Sequence, residues 1–301
     1  MINTKSAFIA IVGKPNVGKS SLLNKLLGEK IAIVSNKPQT TRTRITGVLT
    51  QNETQFVFID TPGIHKPKTK LSQHMIKGIN QSVSDVDAAI MVVEPFGKPL
   101  ETELELIESF KKLNMPAILV INKIDLIENK EDLLERISLF SSLYNFDAII
   151  PISILQDDGC DLVLKEIYNY AVESVHFFPD DTLTDQPERV IVSEIIREKI
   201  LSCMQQEIPH GTAVGIESMK ERKGGRLMDI DATIYCERDS HKGMIIGKQG
   251  SMLKKIASMA RQDIEAFLDI KVNLQCFVKV KEDWRNKEGL IKNFGLSSQN
   301  N

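Results

Sequence analysis

The sequence predicts an α/β protein: a domain built on a mostly parallel sheet, followed by a smaller α+β domain. Two patterns carry this prediction. In the first half, short β-branched runs alternate with longer helical patterns, which is typical of a parallel sheet covered on both faces. An acidic, proline-containing stretch then stops the periodicity, and an α-β-β-α-α-β order follows. We therefore expect a first domain over 1–178, a linker over 179–186 and a second domain over 187–301.

The first domain is predicted to contain five strands and five helices. Each strand is a short apolar run, and each helix carries apolar residues at helical spacing. The strands are Phe8–Val12, Phe56–Asp60, Ala88–Val93, Ala117–Ile121 and Ala148–Pro151. The helices are Ser20–Leu27, Lys70–Ser84, Pro99–Leu113, Lys130–Leu143 and Asp161–Val175.

The second domain begins at Pro187, a residue suited to the first turn of a helix. Isoleucines follow it at helical spacing, and two strands, a Gly-rich loop, a helix, a strand and a short last helix complete the chain. The isoleucines are Ile191, Ile195, Ile196 and Ile200. The later elements are Thr212–Glu217, Arg226–Glu237, Met252–Leu268 and Val272–Lys281.

Composition favours a cytoplasmic globular protein. Apolar residues make up 42% of the 301 residues and charged residues 26%. Four well-separated cysteines and five dispersed histidines favour neither disulfides nor a zinc site. There is no apolar stretch of the roughly 18 residues that a membrane span requires.

From Pro187 onward, the chain has 19 Lys and Arg and 16 Asp and Glu, so this part carries a net charge of +3 and the remainder −5. The positive net charge of the C-terminal part is compatible with binding to nucleic acid, but it does not demonstrate such binding.

Residues 13–20 match a phosphate-binding loop between a predicted strand and a predicted helix. Its glycines allow backbone N–H groups to point at phosphate oxygens beside a helix N-terminus. Lys19 is expected to reach the β- and γ-phosphates, and Ser20 to ligate Mg²⁺. The predicted phosphate contacts are Gly13, Lys14, Pro15, Asn16, Val17, Gly18, Lys19, Ser20 and Ser21.

Three further loops complete a guanine-nucleotide site. The first, after a strand, would hold Mg²⁺ through Asp60 and contact the γ-phosphate through Gly63. The second would select guanine, because the Asp125 carboxylate accepts two hydrogen bonds that adenine does not offer in that arrangement. The third would place a backbone N–H against guanine O6. The loops are Asp60-Thr61-Pro62-Gly63, Asn122-Lys123-Ile124-Asp125 and Ser153-Ile154.

A threonine from Pro38-Gln39-Thr40-Thr41-Arg42 should close over Mg²⁺ and the γ-phosphate, and we favour Thr41 over Thr40. Lys19, Thr41 and Gly63 form the predicted catalytic set. Ile64 stands where many GTPases carry a water-orienting Gln, and it can neither orient nor deprotonate water. His65 is a weak replacement. Hydrolysis should therefore be slow and need an ion, a partner or both.

The Gly-rich loop of the second domain has the I-G-x-x-G pattern of a KH module, which clamps about four single-stranded nucleotides. Its glycines allow a phosphodiester to approach the main chain closely, and its lysines add positive charge. The predicted RNA contacts are Ile245, Ile246, Gly247, Lys248, Gln249, Gly250 and Lys254, with Ile245 and Ile246 on the apolar side of the cleft.

Taken together, these motifs resemble the Era family, bacterial GTPases with a C-terminal type II KH domain. The likeness runs nearly end to end, and the segment Glu194–Lys199 is especially specific because GTP chemistry does not require it. Further matching segments are Gln39–Arg42, Val278–Trp284 and Asn293–Gly295.

The resemblance implies a monomeric cytoplasmic switch that binds GTP, GDP and Mg²⁺. It implies binding to the 3′ end of 16S rRNA and a role in assembly and maturation of the 30S subunit. It also implies peripheral association with the inner face of the membrane. In related translation GTPases without the catalytic Gln, an Asn at the place of Asn16 helps to hold K⁺ beside the phosphates.

Two alternatives stay open on the sequence. The chain could be a constitutive RNA-binding assembly factor with structural nucleotide, or a GTPase acting on tRNA modification or on the large subunit. One departure from the family pattern concerns Ile154, where Ala is usual. The expected contact to guanine O6 comes from the main chain, so Ile in place of Ala can still make it. The affinity for guanine could nevertheless be weaker.

Overall fold

The computed structural model describes residues 4–35, 37, 40–63, 69–71, 75, 85–205, 208–222 and 224–296. Their contacts divide the chain into two compact units. The first comprises Met1–Ala32, Thr41–Pro67 and Met75–Asp185, and the second Ile33–Thr40, Lys68–His74 and Gln186–Asn301. Two short segments of the N-terminal half thus belong with the C-terminal unit. The boundaries predicted at 179 and 187 stay a prediction.

The first unit is built on one sheet with the strand order β2-β3-β1-β4-β5-β6. β1, β3, β4, β5 and β6 are parallel, whereas β2 runs antiparallel to β3 and the short β7 antiparallel to β1. The strands are β1 Lys5–Val12, β2 Ile45–Gln51, β3 Thr54–Asp60, β4 Ala88–Val93, β5 Ala117–Asn122, β6 Ala148–Ile152 and β7 Val172–Glu173. The helices are α1 Lys19–Leu27, α2 Glu101–Leu113, α3 Lys130–Leu143 and α4 Cys160–Ile167.

Helices cover both faces of this sheet, which explains the continuous apolar runs of its central strands. Every residue of β4 and β5 is buried. On one face, Leu22 and Leu23 of α1 pack with Val163 of α4. On the other, Phe110 of α2 packs with Phe140 of α3. The predicted parallel-sheet fold is confirmed.

Two parts of the predicted element list are wrong. Strand β2 was not predicted, because Thr and Gly interrupt its apolar residues and its hydrogen bonds to β3 decide its conformation. The predicted helix Asp161–Val175 is too long, since α4 ends at Ile167 and Val172 pairs with Ser6 of β1. The predicted helix Lys70–Ser84 lies mostly outside the described residues.

The second unit shows the predicted α-β-β-α-α-β order. Its sheet has the order β10-β9-β8, with β10 parallel and β8 antiparallel to β9, the arrangement of a type II KH domain. The elements are α5 Glu188–Cys203, β8 Ala213–Glu221, β9 Leu227–Cys236, α6 Asp239–Ile246, α7 Ser251–Leu268, β10 Lys271–Val280 and α8 Glu288–Asn293. Isoleucines of α5 and α7 form the core with those of β9. Among the described residues, no helix is both long and apolar enough to cross a membrane.

An aromatic cluster fixes the C-terminal end of the second unit. Trp284 is fully buried, and its indole Nε1 donates a hydrogen bond to the Gly211 carbonyl at 2.9 Å. Its ring meets Phe294 edge-on at 5.3 Å, and Phe294 also contacts Tyr235 at 4.8 Å. Because both the ring and its N–H are satisfied inside the protein, Trp284 anchors the last helix to β9.

Trp284→Ala should lower the free energy of unfolding by about 3–5 kcal/mol, because it leaves a large cavity and an unpaired carbonyl. Urea unfolding followed by far-UV circular dichroism measures this, since the variant lacks the only Trp of the chain. Phe277→Ala is the control, because Phe277 is half exposed in the same unit and should change stability by less than about 1 kcal/mol. Equal losses in both variants would contradict the anchoring role.

Candidate nucleotide-binding site

The four predicted loops meet at one edge of the first sheet. The loop 13–20 follows β1, Asp60 ends β3, Asn122 ends β5, and Ser153 follows β6. These strands are parallel, so their carboxyl ends share one edge, which is where open α/β sheets bind ligands. The topology therefore brings together loops that lie far apart in sequence.

The phosphate-binding loop is packed so closely that glycine is required in it. Gly18 has φ of 108°, and a Cβ there would lie 2.2 Å from Nδ2 of Asn122. Gly63 approaches from the loop after β3, where a Cβ would lie 2.6 Å from the Pro15 backbone. Gly63 thus brings its main chain directly against the phosphate-binding loop.

Lys19 lies inside this loop. Its Nζ donates hydrogen bonds to the carbonyls of Gly13 at 3.2 Å and Lys14 at 3.0 Å. Burial lowers the pKa of Lys19 to about 8, although the nearby Asp60 carboxylate opposes the shift. An anion at the loop would favour the charged ammonium. Val17 and Pro62 are buried, and Ser21 is half-buried.

Three side-chain oxygens form a cluster at the start of α1. Ser20 Oγ donates to Asp60 Oδ2 at 2.6 Å and lies 2.7 Å from Thr41 Oγ1. Asp60 is fully buried, and its Oδ1 has no hydrogen-bond partner among the described residues. Burial raises the pKa of Asp60 to about 6 against the opposing effects of Lys19 and the hydroxyls. Hydroxyl and carboxylate oxygens are ligands that Mg²⁺ prefers, so the cluster fits that ion.

The structure separates the two candidate threonines. Thr41 takes part in the oxygen cluster and is 7% exposed. Thr40 belongs to the second unit, and its Oγ1 donates to the Lys37 carbonyl at 2.6 Å. Pro38, Gln39, Ile64 and His65 lie outside the described residues.

One amide ties the base-binding loops to the phosphate-binding loop. Asn122 Nδ2 donates to the Val17 carbonyl at 2.7 Å, and its Oδ1 accepts from Ile154 N at 3.2 Å. Ser153 Oγ donates to Asp125 Oδ1 at 2.5 Å and so orients that carboxylate. The backbone of Ile154 is therefore held by Asn122, while its side chain takes no part in these bonds.

Glu94, which directly follows β4, joins two of the predicted loops and was missed in the sequence. Its Oε1 accepts from Lys123 Nζ at 2.7 Å, and its Oε2 lies 2.5 Å from Lys14 Nζ. Burial tends to raise the pKa of Glu94, but hydrogen bonds from both lysines outweigh it and the net shift is downward. A lone acid after a buried strand has no distinctive spacing, so the sequence held no signal for it.

The Gly-rich loop of the second unit joins α6 to α7. Gly247, with φ of 72°, precedes the short 3₁₀ turn Lys248–Gly250, and Gly250, with φ of 77°, ends it. Lys248, Gln249 and Lys254 are exposed, and Ile246 is half-buried.

The prediction for Ile245 is wrong. Its side chain is fully buried in the core of the second unit, so it cannot line a cleft surface.

Comparison with known families matches each unit separately. The sequence model of a family described as "50S ribosome-binding GTPase" matches residues 8–123. The model of a family described as "KH domain" matches residues 207–285.

Curated relatives match the whole chain. A "GTPase Era" of Ruminiclostridium cellulolyticum is 52% identical, with 99% of each chain covered. A "GTPase Era" of Clostridioides difficile is 50% identical, covering 98% of this chain and 99% of the relative.

Solved structures match the whole chain as well. A variant of Aquifex aeolicus Era bound to GDP and AlF4⁻ is similar with a TM-score of 0.93 and 38% identity. The match covers 98% of this chain and 100% of the Aquifex chain. An Era structure in complex with MgGDPNP and nucleotides 1506–1542 of 16S ribosomal RNA matches with the same values.

Glu94→Gln should weaken GDP and GTP binding about 3- to 10-fold, because Lys14 and Lys123 lose the carboxylate that positions both. The effect is modest since the ion pairs are partly exposed. Nucleotide titration monitored by a fluorescent analogue measures it. Glu108→Gln is the matched control, as Glu108 pairs with Lys111 on the surface of α2 and should leave affinity unchanged. Unchanged affinity in Glu94→Gln would refute the positioning role.

Proposed function

The chain belongs to the Era family of GTPases, and on that premise we propose that it binds the 3′ end of 16S rRNA through its KH domain and acts in assembly and maturation of the 30S subunit. It hydrolyses GTP to GDP and phosphate. The observation that carries the proposal is the full-length likeness to an Era structure in complex with nucleotides 1506–1542 of 16S ribosomal RNA. The exposed Gly-rich loop with Lys248 and Lys254 supports it from this chain.

At the nucleotide site, the backbone N–H groups of the loop 13–20 bind the phosphates, and Lys19 neutralises their charge. Ser20, Thr41 and Asp60 would hold Mg²⁺, and the bound ion would supply positive charge to offset that of the phosphates. The Gly63 N–H would contact the γ-phosphate. These groups stabilise the charge that develops as the terminal phosphoryl group departs.

Recognition of guanine rests on Asp125. Ser153 holds one oxygen of its carboxylate, which leaves the group fixed for the N1–H and exocyclic amine of the base. A backbone N–H of the Ser153-Ile154 loop meets guanine O6, and the stem of Lys123 covers the ring. If Ile154 supplies that N–H, it must share or give up its hydrogen bond to Asn122 Oδ1. Because these are paired hydrogen bonds in a shaped site, a base without the matching groups is rejected strongly.

A different ribosomal target has one observation in its favour. The family matched by residues 8–123 is described as a "50S ribosome-binding GTPase". Crosslinking of RNA to the protein in cells separates the two targets. Recovery of the 3′ end of 16S rRNA supports the proposal, whereas recovery of large-subunit rRNA or tRNA supports the alternative. Monomeric state and peripheral membrane association stay predictions.

RNA comprising the 3′ end of 16S rRNA should bind more tightly with a non-hydrolysable GTP analogue than with GDP. Replacing Lys248 and Lys254 together by Glu should weaken binding in both states. It should also flatten the salt dependence of log K by about 0.7 per lost phosphate contact. Fluorescence anisotropy at several salt concentrations measures both effects.

Lys220→Glu is the matched control, because Lys220 is an exposed lysine on β8 of the same unit. It should leave the salt dependence almost unchanged. Equal wild-type affinity with GDP and the analogue would contradict coupling between nucleotide and RNA. An unchanged double variant would contradict the assignment of the Gly-rich loop.

We also propose that K⁺ assists hydrolysis near Asn16, since Ile64 cannot position water. Asn16 lies in the phosphate-binding loop with φ of 66° and offers an amide oxygen, a suitable ligand for a hard cation. Hydrolysis should be faster in KCl than in NaCl at equal ionic strength, and Asn16→Ala should remove the difference. Rates that are equal in both salts for the wild-type protein would exclude this part of the proposal.

A further inference from the structure

Glu94 lies at a place in the first sheet from which one side chain can reach two nucleotide-binding loops. β4 is the neighbour of both β1 and β5. The loop that contains Lys14 follows β1, and the loop that contains Lys123 follows β5. The paired residues of β4 and β5 end at Val93 and Ile121, so Glu94 comes just after the hydrogen-bonded part of the strand. The pairing of the strands therefore does not by itself fix Glu94.

A buried arginine of α3 holds the main chain that carries Glu94. Arg136 is 4% exposed. Its Nε donates a hydrogen bond to the Glu94 carbonyl at 3.1 Å, and its Nη1 donates to the Gly97 carbonyl at 2.5 Å. A guanidinium presents its donors in a rigid fork, so two bonds from one group fix both the position and the direction of the backbone. Arg136 thus holds the residue whose carboxylate bonds to Lys14 and Lys123.

The charge of Arg136 is balanced inside the first unit. Burial lowers the pKa of Arg136, and the carboxylates of Glu103 and Glu94 oppose that shift. Glu103, in the first turn of α2, is 2% exposed, and its Oε2 accepts a hydrogen bond from Leu100 N at 2.9 Å. None of the residues that the structure describes donates a hydrogen bond to its Oε1. The guanidinium also lies 4.4 Å from the ring centroid of Phe140. One buried acid of α2 and one buried cation of α3 therefore both bond to the loop that joins β4 to α2.

Stability alone does not account for two buried charges at this loop. Apolar residues in place of a buried ion pair are often neutral or stabilising. The middle of the loop is also solvent-exposed at Phe96, Gly97 and Lys98, so little apolar surface there depends on the pair. What Arg136 adds is a fixed place for the carbonyl of Glu94, the one residue of the loop whose side chain bonds to both nucleotide-binding loops.

We propose that Arg136 is a positioning residue for guanine-nucleotide binding: it fixes the backbone of Glu94, and Glu94 in turn places Lys14 and Lys123. Arg136 acts through Glu94 and does not touch the nucleotide. The inference rests on the proposed function, because it takes Lys14 as a phosphate contact and Lys123 as the cover of the guanine ring. Both contacts are common to GDP and GTP, so the two nucleotides should depend on Arg136 equally.

The test measures nucleotide affinity without RNA. Arg136→Gln should weaken binding of GDP and of a non-hydrolysable GTP analogue by the same factor, about 3- to 10-fold, mainly through faster dissociation. Stopped-flow fluorescence with labelled nucleotides gives the dissociation rates. Combined with Glu94→Gln, Arg136→Gln should cause almost no further loss, because both changes interrupt the same path. A role in stability alone would lower the unfolding temperature and leave the affinity of the folded variant unchanged.

Tyr144→Phe is the matched control, because the Tyr144 hydroxyl, directly after α3, also donates to a main-chain carbonyl, that of Met115, at 2.6 Å. It should leave both affinities unchanged. Glu103→Gln keeps an acceptor for Leu100 N but removes the charge beside Arg136, so it should weaken binding less than Arg136→Gln does. If Arg136→Gln does not fold, Arg136→Lys takes its place. Lysine retains the charge but lacks the fork for two carbonyls, so a smaller loss of the same kind is expected.

Unchanged affinities in folded Arg136 variants, or losses that multiply with the loss caused by Glu94→Gln, would overturn the inference. Lys14→Gln and Lys123→Gln test the contacts on which it rests. If neither lysine variant weakens binding, the proposed contacts of the lysines are wrong and the inference is wrong with them. Losses in the lysine variants without a loss in Arg136→Gln would leave those contacts standing and reject the role of Arg136 alone.

Discussion

The arrangement of the nucleotide site depends on the buried amide of Asn122. It donates to the carbonyl of Val17 in the phosphate-binding loop and accepts from the N–H of Ile154 in the base-binding loop. One planar group thus sets the spacing between the place for phosphates and the place for guanine. The close approach leaves no room for a side chain at Gly18, where a Cβ would lie 2.2 Å from the amide nitrogen. The loop glycine and the asparagine are therefore requirements of the same contact.

Lys19 and Asp60, the buried charged residues of the site, are placed where charged ligands would bind. Burial shifts Lys19 and Asp60 in opposite directions, lowering the pKa of the first and raising that of the second, so each moves toward its neutral form. A phosphate beside Lys19 and a divalent cation beside Asp60 would favour the charged form of each. Among the residues that the structure describes, none donates a hydrogen bond to Oδ1 of Asp60, which fits an oxygen that would ligate the cation. The cost of burying these groups is thus offset when nucleotide and Mg²⁺ bind together.

The sequence predicted the parts of the site that depend on spacing within one loop. The loop 13–20 and the residues around Asp60, Asn122 and Ser153 follow buried parallel strands, and such strands read as continuous apolar runs. Strand β2 was not predicted, because its hydrogen bonds to β3 decide its conformation and its own apolar pattern is weak. Glu94 escaped for a similar reason, since its importance comes from two lysines far away in sequence. The prediction for Ile245 was wrong because an apolar residue beside a Gly-rich loop can face either the core or the surface. Only the packing of the folded unit decides which of the two it faces.

The placement of Ile33–Thr40 could not have been read from the chain, because periodicity assigns those residues to the domain that surrounds them in sequence. The physical reason for their placement lies in α5, where Arg197 and Glu198 are almost fully buried. Apolar residues would fill such positions at lower desolvation cost, so stability alone does not account for an arginine and a glutamate there. What these two side chains add is direction: Glu198 accepts from Val34 N and Arg197 donates to the Thr40 carbonyl, so each bonds to one defined backbone group. Two buried charges on one helix therefore fix main-chain groups that lie far away in sequence but within the same unit.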